Sequence, residues 1–95
     1  MAQPLDSFET NNRLRFEALM TDSRVGLTFA RLASEAAAGS DKRIRNQANA
    51  RKAYDTVLSL SRKIDLSELG GGLAETLDRL KSALRALGEH FQDDD

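Results

Sequence analysis

The sequence predicts an all-α fold: an antiparallel bundle of three long helices with a short or kinked helix at its N-terminal end. Three observations point there. Leucines and a phenylalanine recur at helical spacing from Leu66 to Phe91. No stretch alternates apolar and polar residues through Val, Ile, Thr and aromatics, as a half-buried strand would. Leu, Ala, Arg and Glu, all good helix formers, are among the commonest residues, and the chain holds one proline.

Taken in order, the first helix is expected near 7–20. Asp6 with Glu9 resembles a capping box with Asp in place of Ser or Thr, and Phe8, Asn12, Phe16, Leu19 and Met20 then share a face. A second apolar set, Val25, Phe29, Leu32, Ala33 and Ala36, is centred about 140° away from the first. Thr21, Asp22 and Ser23, three N-cap formers, sit at the changeover. The spacing therefore predicts a break there and a second helix near 24–38, with one continuous helix as the alternative. Gly39-Ser40-Asp41 reads as a stop followed by a start, because glycine suits the left-handed C′ position and Ser or Asp caps the next helix. The third helix is expected over about 42–64. Its core stripe is Ala50, Ala53, Tyr54, Val57, Leu60 and Ile64, with Arg45, Arg51, Lys52, Arg62 and Lys63 pointing away. Asp65, with Glu68 at the third position, is expected to cap the fourth.

The fourth helix, 66–91, carries the strongest signal. Leu66, Leu69, Leu73, Leu77, Leu80, Leu84, Leu87 and Phe91 fall within an arc of about 80°. That phase holds across Gly70, Gly71 and Gly72, so the helix is expected to run through them, at about 1 kcal/mol per glycine relative to alanine, with a frayed N-terminal segment as the alternative. A dimeric zipper would place charges at positions e and g. Here those positions hold Ser67, Ala74, Lys81 and Gly88, and Leu69, Thr76, Ala83 and His90. Only one of those eight is a full charge, and such small flanks fit a stripe buried between two neighbours in a bundle.

Ninety-five residues fit one domain over 1–95, with 1–5 and 92–95 expected as flexible tails. The absence of cysteine excludes disulfides, thiolate zinc sites and thiol catalysis. No secretion-signal layout or membrane-length apolar run is present, so the expected compartment is the cytoplasm and no membrane partner is expected. The net charge of −1 hides a partition: residues 1–41 carry −2, residues 42–63 carry +6 and residues 64–95 carry −5. One basic segment lies between two acidic ones.

Candidate chemistry is sparse. Lys42, Arg43, Arg45, Arg51 and Lys52 lie in a stretch without an acid, and such a helix end suits phosphates or another anionic partner. The stretch lacks the interleaved aromatics of a single-strand binder, and its bland reading is a solvated face balanced by acidic neighbours. His90 with Asp93–Asp95 is a poor metal site at the chain end, better read as a histidine at a helix terminus. No catalytic residue, metal or cofactor is expected. Gly70–Gly72 lacks the Lys-Ser/Thr of a P-loop, and Glu75 with Asp78 reads as ordinary surface charge.

Leu32-Ala33-x-x-Ala36 followed by Ala50-x-x-x-Tyr54-x-x-Val57-Leu58 resembles a tetratricopeptide-type helical hairpin over residues 25–64. With a third long helix the chain is also similar to the microtubule-interacting-and-transport domain. The resemblance implies a module that holds a peptide or helix in a groove between helices. The expectation is a small non-catalytic interaction protein that binds a protein partner or itself. The alternative is a nucleic-acid-associated protein using residues 42–52.

Overall fold

Three helices build the computed structural model: α1 Pro4–Glu35, α2 Asp41–Ser61 and α3 Gly72–Ala86. It describes residues 4–63 and 72–91, with side chains from Arg13 onward in α1. Among the described residues all regular structure is helical. Gly26 faces both Ala53 and Leu80, Met20 lies against Gly72, and Gln47 bonds Glu89. Those pairings make α2 antiparallel to both its neighbours and α3 parallel to α1, an up–down–up bundle. At 1.5 Å per residue α1 spans about 48 Å against about 22 Å for α3, so α1 is the spine on which the other two pack.

The break expected at 21–23 is absent, and α1 replaces the two helices near 7–20 and 24–38. The reason lies in which residues face inward. Leu19, Ser23, Gly26, Ala30 and Ala33 are buried and fall within about 80° of one another, one uninterrupted stripe. Ser23, expected to cap a new helix, is instead fully buried, and its hydroxyl donates to the Met20 carbonyl at 2.9 Å. A serine bonded back to its own helix needs no break. Val25, counted in the second apolar set, is 44% exposed. α1 also begins at Pro4, inside the expected tail, where a proline without an N–H suits a first turn.

The turn after α1 follows its expected chemistry. Gly39 takes φ 78°, and the Ser40 hydroxyl accepts the Arg43 N–H at 3.1 Å as N-cap of α2. Along α2, Ala50, Tyr54 and Val57 are buried as expected, but Leu60 is 40% exposed and Ser61 takes the inward place, donating to the Leu58 carbonyl. α2 ends at Ser61, and Ile64 lies outside the described residues. So do Asp65, Leu66, Glu68, Leu69, Gly70 and Gly71, and with them the expectation of a helix through the glycines. From Gly72 the chain is helical, with Leu73, Leu77, Leu80 and Leu84 buried.

α3 stops at Ala86, five residues before the expected end at Phe91. Gly88 is left-handed at φ 99°, Gly88 N–H donates to the Arg85 carbonyl and Glu89 N–H to the Leu84 carbonyl. This is a Schellman closure, and it ends the helix by satisfying its last carbonyls. Phe91 is still buried, but by a different route: the chain turns back and seats the ring on α2.

Candidate interaction surface

Two grooves flank α3. On the α2 side, Phe91 closes the bundle. Its ring meets Tyr54 edge-on, with centroids 5.1 Å apart and planes at 70°. The Arg51 guanidinium lies 4.2 Å from the Phe91 centroid, with Lys81 at 5.3 Å and Arg85 at 5.7 Å. Arg51 also pairs with Asp55 at 3.2 Å and Glu89 at 3.4 Å, and donates to the His90 carbonyl at 3.0 Å. Gln47 donates to Glu89 at 2.7 Å. A surface hollow of about 600 Å³ remains beside Phe91, with Arg62 and Leu58 on its edge. Its Arg51 and Asp55 already satisfy each other, and its aromatic floor is the fold's own closure.

The opposite side differs. α1 and α3 run parallel there and enclose an open groove of about 520 Å³. Leu27 and Ala30 from α1 and Ala83, Ala86 and Leu87 from α3 and the turn after it make its apolar lining. The lining is smooth because three of the five are alanines. Arg31, Ser34 and Arg43 complete it. Ser34 is occupied locally, donating to the Arg31 carbonyl at 2.7 Å. Neither Arg31 nor Arg43 has a carboxylate within ion-pair distance among the described residues. A shallower hollow of about 320 Å³ separates α1 from α2, beside Val25, Phe29, Asn49, Lys52 and Thr56.

The five basic residues singled out in the sequence do not share a face. Lys42, Arg45 and Lys52 are exposed along the outside of α2. Arg43 is half-buried at the α1–α3 groove, and Arg51, expected to point away from the core, is half-buried over Phe91. The structure thus divides the basic segment among three surroundings. His90 is exposed beyond the helix end, contributing its backbone carbonyl to Arg51. Glu75 and Asp78 are both exposed, and Glu75 pairs with Arg79 at 3.2 Å along the helix. Among the described residues no group of three or more His, Cys, Asp or Glu could hold a metal ion. No buried side-chain polar atom there lacks a hydrogen-bond partner.

Sequence reasoning missed the groove itself. Its arginine rim begins at Arg31, outside the basic run, and the spacing alone places Ala83 beside a stripe buried between two neighbours. The available signal was the Ala83, Ala86, Leu87 spacing beside the leucine ladder, which leaves an alanine edge facing α1. No helix of the described residues is long and apolar enough to cross a membrane. Comparison with protein-family models, with characterised proteins and with solved structures finds no match to this chain. What the fold and surface define is therefore a class: an all-α three-helix bundle with an open apolar groove along its longest helix.

Proposed function

We propose that this chain is a small, cytoplasmic, non-catalytic protein-interaction module that receives a protein partner in the groove between α1 and α3. The supporting observation is that Leu27, Ala83, Ala86 and Leu87, part-buried or exposed above the buried Ala30, line an open apolar groove between α1 and α3. An apolar lining with polar edges is the layout of a protein-docking surface, where the buried centre supplies affinity and the rim selects. The resemblance of residues 25–64 to a peptide-binding helical hairpin leads to the same class of function. The nucleic-acid alternative is less favoured by the geometry, because Arg43 and Arg51 turn toward the bundle and leave Lys42, Arg45 and Lys52 as the outward cations.

Ala86→Trp tests this proposal. Ala86 is exposed at the end of α3, so the indole fills the groove without entering the core. The variant is expected to melt like the parent and to lose at least one protein that cross-links to the parent in an extract of cells that make it. The same proteins cross-linking to both forms would contradict a docking role for the groove. A salt-dependent mobility shift with DNA or RNA, weakened by Arg45→Ala with Lys52→Ala, would support the nucleic-acid alternative instead.

A further inference from the structure

We infer that the occupant of the α1–α3 groove is an acidic amphipathic helix, an inference that rests on the groove being a docking surface. The charges at its edge carry it. Arg31 and Arg43 both line the groove, and neither has an anionic partner among the described residues. This contrasts with Arg51 across α3, whose guanidinium is held by Asp55 and Glu89. Arg24, seven residues before Arg31, falls within about 20° of it around α1 and about 10 Å away along the axis. It too is exposed with no carboxylate beside it among the described residues. Arg24 lies outside the groove lining and continues the exposed side of α1 two helical turns beyond Arg31, the spacing of residues i and i+7 on a helix lying alongside.

The floor argues for a helical occupant. Its apolar lining comes from side chains of α1, of α3 and of the turn after it, with no strand edge to pair with. An extended peptide there would set unpaired N–H and C=O groups against aliphatic surface, whereas a helix satisfies its own. Aliphatic residues at i, i+3, i+4 and i+7 would seat on Leu27, Ala83, Ala86 and Leu87, with Ala30 buried beneath them. Glu or Asp beside that stripe would meet Arg31 and Arg43 at the groove, each guanidinium presenting a fork that matches a carboxylate. At an exposed rim such pairs select partners more than they add affinity, and they repel a basic helix of the same apolar pattern.

The test is a displayed library of helices with a fixed leucine stripe, each flanking position varied among Glu, Gln and Lys, selected on the full chain. Helices with flanking Glu are expected to be enriched about tenfold over those with Lys, roughly 1.4 kcal/mol in binding. Arg31→Glu with Arg43→Glu is expected to invert that preference while leaving the helical circular dichroism and the melting temperature in place. Equal recovery of Glu and Lys helices, or an unchanged preference in the double variant, would overturn the acidic partner while leaving a groove that binds helices. Recovery of no helix of any charge would remove the docking surface together with the inference. A parent dimer in sedimentation that Ala86→Trp dissociates would make a second copy the occupant and overturn the inference as well.

Discussion

Replacing Leu80 by alanine is expected to cost about 4 kcal/mol of unfolding free energy, within the range for buried leucine truncations. Leu80 is fully buried at the middle of α3, and one of its methyls is the atom nearest to where a side chain at Gly26 would begin. Removing it opens a cavity where three helices meet, and α1 cannot collapse into the gap without separating from Ala53 on the other side. Domains of this size have total stabilities of about 5–15 kcal/mol, so the loss is a large part of what holds the bundle. Urea titration followed by far-ultraviolet circular dichroism measures it. Leu80→Met, which keeps the volume, is expected to cost less than about 1.5 kcal/mol. A loss under about 1 kcal/mol for Leu80→Ala would contradict the packing described for this layer.

Gly26→Val is expected to destabilise by about 3 kcal/mol, against the ordinary rule that replacing a helical glycine stabilises the helix by several tenths to about 1 kcal/mol. A Cβ at position 26 would stand 2.8 Å from Leu80 Cδ2 and 3.0 Å from the Ala53 Cβ. The leucine methyl has some freedom to turn, but Ala53 can yield only by moving α2. Valine adds two further carbons to that contact and so pushes α1 off both neighbours. The two substitutions share one site, so they should not add. Combining Gly26→Val with Leu80→Ala places the new methyls in the vacated space, and the double variant is expected to lose at least about 1 kcal/mol less than the two singles together. Strict additivity would mean that Gly26 and Leu80 are not in contact.

Gly26 also shows how much of the fold was legible beforehand. The helical class, the Gly39-Ser40 turn and the leucine face of α3 could be read directly, because each rests on large side chains or on residues with a single local conformational role. For α1 the sequence favoured a break and left one continuous helix as the alternative. Its inward face is built from Ser23, Gly26, Ala30 and Ala33, and of these only Ala33 entered the apolar sets that the spacing defines. Small residues face inward there because α2 and α3 approach closely, and that is a tertiary fact. Phe91 illustrates a different limit: it sits in phase with the ladder, yet Gly88 ends the helix first and the ring is buried by a returning chain. Of the candidate site, the sequence pointed to Arg43 among five basic residues. Arg31 and the alanine edge of α3 became visible only once α1 and α3 were laid side by side.

Whether the α1–α3 groove is where a protein partner docks is tested most directly by photo-cross-linking from two exposed positions. Benzoylphenylalanine is placed at Ser34, on the edge of the α1–α3 groove, and at Thr56, on the edge of the α1–α2 hollow. Adducts with a protein are expected from position 34 and not from position 56. Protein adducts from position 56 alone, or nucleic-acid adducts from both, would contradict the docking role assigned to the groove.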